Sequence, residues 1–455
     1  SIKEMNSTYT SLLMEYRVRC KGEENDEDVY AVREFFRVRY SKDTKKTYLL
    51  DYDRTMEQVF DASHRVLSEK GILLGIADRD VPYLVNGDGT VVSFVQAREL
   101  WNYNKNTDEM SLVFSFADAE SSNERNIFAQ HEVQLLNMDK TGNTVFAVYG
   151  YMNRGEHEGE VGVSVYYYDI GKNSVDEKIF IPTDKSYERA VFGLGHLLYY
   201  NEEENLLYAL VNETLYEVDV DKEWGKELVT DLKDDGYVTS DDSRFIAYEE
   251  KADDESTARI IVRDFAKGTE REITCGEDEI IQPLGFMNTD FVYGLSKNSD
   301  AGQTVSGQEI TPMYKIEIEN TGGKPVKTYE QKGVYVLEAV FDDKMITLDR
   351  VKKKGNTYTS TKEDYITSNT QEEESNIYVE TYTTELKERQ VRITYADGIA
   401  DKEPKQLKPK QAASGKAATI SFKEQTVPDK CYVYGYGKLH GIYDNAGEAI
   451  READE

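Results

Sequence analysis

IIVRDFAKGTEREIT, running from Ile260 to Thr274, decides the fold. It reads as an alternating strand, an acidic residue, a few turn formers and a second strand. Asp bonds its own backbone two residues on, and Gly reaches positive φ without strain, so the Asp264 to Gly268 segment joins two antiparallel strands tightly. The phrase recurs along the chain. It is LWNYNKNTDEMSLVF from Leu100, VYYYDIGKNSVDEKIF from Val165, LYEVDVDKEWGKELV from Leu215, MYKIEIENTGGKPV from Met313 and IYVETYTTELKERQV from Ile377. FRVRYSKDTKKTYL from Phe36 is a fainter copy.

The residue after each alternating strand serves as a marker: Arg39, Asn104, Asp169, Asp219, Asp264, Glu317 and Thr381. These lie 45 to 65 residues apart. A partner phrase precedes each hairpin, clearest in TSDDSRFIAYEE from Thr239 and again in NMDKTGNTVFAVYG from Asn137. Two hairpins per repeat make units of four antiparallel strands, and self-similar units of this kind stack radially into a β-propeller. The expectation is an all-β chain of seven blades, with eight as the alternative. Residues 1–442 form the ring, closed by N- and C-terminal strands sharing one blade: Leu12 to Arg19, Phe35 to Tyr40 and Thr47 to Asp51 with Thr419 to Phe422 and Cys431 to Tyr436. Residues 443–455, YDNAGEAIREADE, change to a helical stripe capped by Asn445 and read as a linker or helix leading to a further domain.

Composition agrees with half-wet sheets: 39% apolar residues, with 33 Tyr against 16 Phe. No apolar run approaches the length of a membrane-spanning helix. The 55 basic and 86 acidic side chains leave a net charge of −31, which repels nucleic acid and anionic lipid. Lys402 to Lys416 reverses that sign locally and reads as an extended basic loop, able to dock on an acidic face. Cys20, Cys275 and Cys431 are too far apart for a disulfide framework or a zinc set. The chain opens at Ser1 without a signal segment, as a processed or shortened protein would.

Two resemblances follow from these residues. TSDDSRFIAYEE is similar to the polar-turn-then-strand element of TolB-like and prolyl-oligopeptidase-type propellers, with Asp241 and Ser243 where that element usually has Pro and Gly. VYGYGKLHGIYDNAGEAIREADE from Val433 resembles the junction between a propeller and a papain-like cysteine peptidase domain in secreted or lipid-anchored proteins of clostridia-like Gram-positive bacteria. The second resemblance implies an extracellular or cell-surface-anchored accessory ring whose catalytic residues lie beyond Glu455.

The search for chemistry within the chain assigns no catalytic, cofactor-binding or metal-ligating residue. His64, His131, His157, His196 and His440 form no HExxH or HxH pair. Ser164 lacks the second Gly of a nucleophile elbow. Asp169, Asp219 and Asp264 read as turn residues, and so does Asp139 in the Asp-box-like MDKTGNTVF. The acidic runs Glu23 to Asp28, Glu202 to Glu204 and Glu372 to Glu374 lack the spacing of a calcium loop. Gly302 to Gly307 reads as a flexible insertion, and Lys352 to Ser375 as a polar one with no core of its own. Two functional classes stay open. One is a non-catalytic module holding a protein, peptide, glycan or its own downstream domain at a rim. The other is a carbohydrate-active enzyme with two carboxylates at the channel mouth, within roughly 5 to 10 Å of each other.

Overall fold

The computed structural model describes residues 2–22, 27–117, 130–251 and 258–368 apart from 192, 223, 234–235 and 343. It also describes 375–400 apart from 386–388, then 402–411, 418–420, 431–435, 438–443, 449 and 451. Almost every element among these is a strand, with short helical turns at Tyr187–Ala190 and Asn298–Asp300. The helical stripe expected over 443–455 falls almost wholly outside the described residues.

An N-terminal sheet of β1 (Ile2–Met5), β2 (Thr10–Cys20), β3 (Asp28–Ser41) and β4 (Lys46–Gln58) comes first. After β5 (Leu67–Ser68) and β6 (Gly71–Leu73) the repeating series begins. β7 (Tyr83–Val85), β8 (Val91–Gln96), β9 (Glu99–Asn104) and β10 (Glu109–Phe114) form one antiparallel meander. β11 (His131–Met138), β12 (Thr144–Tyr151), β13 (Val161–Asp169) and β14 (Ser174–Thr183) form the next. Four-stranded sheets over 198–229 and 237–274 follow, and then the strands of 279–330 and 335–367, joined where Met313 pairs with Val336.

The sheets pack on one another in chain order because successive side chains of each strand enter opposite interfaces. In β12, Phe146 and Val148 meet Leu100 and Val113 of the preceding sheet, while Val145 and Ala147 meet Leu207 and Val218 of the following one. Such strands are buried on both faces and read as continuous apolar runs. The pattern continues with Leu215 against Ile246, Val262 against Phe291, and Ile316 against Leu348. Serial meanders packed face to face make this a propeller-type fold.

Early and late strands meet in one sheet, ordered Ile377–Tyr382, Gln390–Tyr395, β6, β5. Ile72 pairs with Ile393 and is fully buried with Leu74, Val391, Phe94 and Tyr103. Gly71 sits at positive φ, and a Cβ there would overlap the carbonyl oxygen of Ile393, so only glycine permits this approach.

This pairing corrects the expected one. β2 pairs with β3 and β3 with β4 along their full lengths, and Cys431–Gly435 pairs with Lys438–Tyr443. The faint copy at Phe36 therefore belongs to the N-terminal sheet, outside the packed series. The reason is local: long strands joined by tight turns satisfy one another, and the closing role falls to the short apolar segment around Ile72.

The basic segment is also more ordered than a loop. Lys405–Leu407 runs parallel to the outer edge of β10, while Lys410–Gln411 and Ala418–Thr419 run parallel to β14. Lys402 Nζ reaches Asp108 Oδ2 and Lys405 Nζ reaches Glu109 Oε1, each at 2.7 Å. Both edge strands would otherwise present unpaired backbone groups, and the segment covers part of each. The described part of the Gly302 to Gly307 and Lys352 to Ser375 insertions likewise forms strands. Gly302–Thr304 pairs with both Glu309–Ile310 and Thr357–Ser360, and the buried Tyr358 donates to Asp300 O at 2.6 Å.

Candidate functional site

A concavity lies where the N-terminal sheet meets the ring. Register places opposite residues of this sheet on a shared face. Leu12, Phe36 and Tyr52, then Met14, Glu34 and Arg54, then Tyr16, Val32 and Met56 line one face. Glu15, Arg33 and Thr55, then Arg17, Ala31 and Glu57 line the other, which leans over the turn between β8 and β9. Between them is a crevice of about 530 Å³, and beside it a second cavity of about 220 Å³ lined by Asp61, His64 and Gln390. Arg17 and Val59 border both.

The crevice floor is built by a constrained hairpin. Ala97 and Arg98 both take left-handed backbone angles, as a two-residue turn between twisted strands requires. That turn aims Arg98 Nε at Glu132 Oε1, 3.1 Å away. Next to it Glu99 accepts a hydrogen bond from Ser115 Oγ at 2.7 Å. Burial raises the Glu99 carboxyl above the ordinary Glu range, against the opposing pull of Ser115, Trp101 and Arg17.

His131 faces the same space. Its ring meets Phe116 edge-on with centroids 4.7 Å apart, and neither ring nitrogen has a hydrogen-bond partner among the described residues. Burial first, and the Arg98 charge second, lower its pKa to about 4, so the ring is neutral at ordinary pH. A neutral imidazole offers one donor and one acceptor. The sequence named His131 only among five histidines without the spacing of a zinc site, because nothing local signals its burial.

The other histidines are dispersed. His157 stacks on Phe180 at 3.8 Å with Glu160 Oε1 3.3 Å from Nδ1, and Glu177 accepts from the buried Ser164 hydroxyl. Ser164 is thus held by a carboxylate inside β13. His196 Nδ1 lies 3.5 Å from the Tyr237 hydroxyl. His440 belongs to the Lys438–Tyr443 strand.

The repeated aspartates hold turns, as their spacing implies. Asp169 Oδ1 accepts from Lys172 N at 2.8 Å, Asp219 Oδ1 from Lys222 N at 2.9 Å, and Asp264 Oδ1 from Ala266 N at 3.1 Å. Asp139 Oδ1 accepts from the backbone of Thr141 and Asn143. Cys20, Cys275 and Cys431 form no disulfide among the described residues. Among the described residues no three His, Cys, Asp or Glu side chains group as a metal site would, and no helix is long and apolar enough to cross a membrane.

One pair of carboxylates does converge. The Tyr293 hydroxyl lies 2.7 Å from Glu317 Oε2 and 3.0 Å from Glu319 Oε1. Each carboxylate also has a cation: Lys315 Nζ is 2.6 Å from Glu317 Oε1, and Arg271 Nη1 bonds Glu319 Oε2. The pair stands on Met313–Glu319, the third strand of its meander, away from the first.

No family model matches the chain, and no curated protein matches it. Solved structures do. Dipeptidyl peptidase 4 of Porphyromonas gingivalis is 11% identical over 71% of this chain and 60% of its own, with a TM-score of 0.29. Oligogalacturonate lyase of Vibrio parahaemolyticus is 10% identical over 80% of this chain and 95% of its own, with a TM-score of 0.31. A prolyl endopeptidase is 11% identical over 84% of this chain and 52% of its own, with a TM-score of 0.30. The chain thus spans little more than half of either peptidase. At likeness of this degree the fold assignment rests on strand pairing and sheet packing within the chain.

Proposed function

We propose that the chain is a seven-bladed ring acting as a non-catalytic binding or scaffolding module of a bacterial surface or secreted protein, with the N-terminal sheet as its protein-binding part. Four sheets of the series, over 83–114, 131–183, 198–229 and 237–274, the two parts 279–330 and 335–367 of one joined sheet, and the closing sheet support the count of seven. The link to a downstream peptidase-like domain, and to an anchored extracellular location, rests on the sequence resemblance at Val433 to Glu455 alone. Reading the gene past codon 455 tests it.

The open edge of β4 carries the binding assignment. This strand is the last of its sheet, pairs among the described residues with β3 alone, and is exposed along nearly its whole length. Leu49 and Met56 on the shared apolar face are 59% and 41% exposed. Edge strands of such length recruit extended chains through backbone hydrogen bonds, with alternate side chains reading one face. Residues 1–58 carry 11 basic and 12 acidic side chains, so this sheet is nearly neutral on a strongly acidic protein. The occupant is an extended, alternately apolar strand of a partner protein without net negative charge.

Selection of displayed 12-residue peptides on the intact chain is the test. Enriched peptides with alternating apolar residues that lose about tenfold affinity on a Leu49→Lys, Met56→Lys protein support the reading. Failure to enrich any such peptide sinks it. The Glu317, Glu319 and Tyr293 cluster favours the second reading, a carbohydrate-active enzyme. Release of reducing or unsaturated ends from polysaccharides, abolished by Glu317→Gln, would establish that activity instead.

A further inference from the structure

The crevice under the N-terminal sheet gathers charges of both signs around one space. Arg33 faces Glu15 at 3.9 Å and Arg98 faces Glu132 at 3.1 Å, so those two cations are matched. Arg17 and Glu57 occupy one cross-strand row on the crevice side, both open to solvent. Glu99 accepts from the Ser115 hydroxyl, and Trp101 and Arg17 are near enough to act on that carboxyl as well. His131 is 5% exposed, with both ring nitrogens unpartnered among the described residues.

A guanidinium, two carboxylates and a buried imidazole offering one donor and one acceptor share one space of about 530 Å³. That volume is in the range of small-molecule sites, which pair an apolar lining with a few converging polar groups. A purely anionic ligand would meet Glu57 and Glu99, and a purely cationic one would meet Arg17, Arg33 and Arg98. A molecule bearing both charges satisfies each.

We propose that this crevice binds a zwitterion, an amino acid or short peptide, whose carboxylate takes Arg17 and whose ammonium group takes Glu57 and Glu99. Guanidinium and carboxylate match in planar, paired hydrogen bonds, and ammonium supplies donors that ionised carboxylates lack. His131 bonds the ligand's polar atoms, and Phe116 with Val59 receives its side chain. This site is distinct from the open edge of β4 and uses the crevice-side face of the sheet.

Titration calorimetry on the intact chain tests the proposal with leucine, glycylleucine, N-acetylleucine and leucine amide. Leucine or glycylleucine binds, and the arm that binds more tightly separates free amino acid from peptide. Capping either end weakens binding about tenfold or more, the loss of one charge-assisted contact. Arg17→Met removes the preference for leucine over leucine amide, and Glu99→Gln removes the preference over N-acetylleucine. Glu57→Gln, at an exposed strand position, repeats the second result where folding is not in question. No binding of either zwitterion at about 10 mM, or equal binding of capped and uncapped ligands, overturns the proposal. Neither outcome bears on peptide capture by β4, which the Leu49→Lys, Met56→Lys protein reads separately.

Discussion

Gln96 Nε2 donates to the carbonyl oxygen of Leu74 at 2.7 Å, and the same nitrogen reaches Gln58 O at 3.3 Å. One buried amide thereby ties the end of β8 to the ring-closing segment and to the last residue of the N-terminal sheet. Replacing it with leucine leaves two inward carbonyl groups short of a donor. Gln96→Leu is expected to lower stability by about 1–3 kcal/mol, read as a fall in the urea midpoint. A change below about 0.5 kcal/mol would show that this amide does not hold the junction.

Ile72 and Leu49 test where burial counts. Ile72 is fully buried in the closing interface, whereas Leu49 is 59% exposed on the open face. Ile72→Ala is expected to cost about 2–5 kcal/mol, through lost transfer energy and the cavity left behind. Leu49→Ala should stay within about 0.5 kcal/mol. Equal losses at the two positions would mean that the open face is covered in solution.

His131 makes stability sensitive to mild acid. Its pKa is lowered from 6.5 to about 4 by burial and by Arg98, so its contribution is fully present above pH 6.5. The contribution is lost as pH falls toward 4, by about 3 kcal/mol across that window. Arg98 and Glu132 are the charged groups paired beside it, with Glu99 in the same crevice. His131→Phe removes this titration and keeps an aromatic ring against Phe116. The difference in urea midpoint between the two proteins should change steadily from pH 6.5 to pH 4, and a constant difference refutes the assignment.

Arg244 grips Asp264 through two hydrogen bonds, Nε to Oδ1 at 2.9 Å and Nη2 to Oδ2 at 2.8 Å. Burial pushes the Asp264 carboxyl upward, but Arg244's bonds and charge outweigh it and hold the pKa below 3.8. The stabilisation is therefore present above pH 3.8 and fades as pH falls through the lower folded value. Asp264→Asn should cost about 1–2 kcal/mol at pH 7 and progressively less below pH 3.8. Chemical denaturation at pH 7 and pH 3 measures both.

The repeat phrase around Ile260 and its relatives was enough to establish all-β meanders, their four-strand units and the turn duty of Asp169, Asp219 and Asp264. Period-two alternation and Asx turns are short-range properties, set by neighbours a few residues away. Which strands close the ring was not legible, because Ile72 and Ile393 lie 321 residues apart in the chain and nothing local couples them. Tertiary pairing decided it, with Gly71 admitting the approach. The same holds for the crevice. Arg17, Glu57, Glu99 and His131 are unremarkable in sequence, and only the packing of the N-terminal sheet over the β8–β9 turn gathers them around one crevice, with Arg17 and Glu57 at its wet side and Glu99 and His131 at its buried floor.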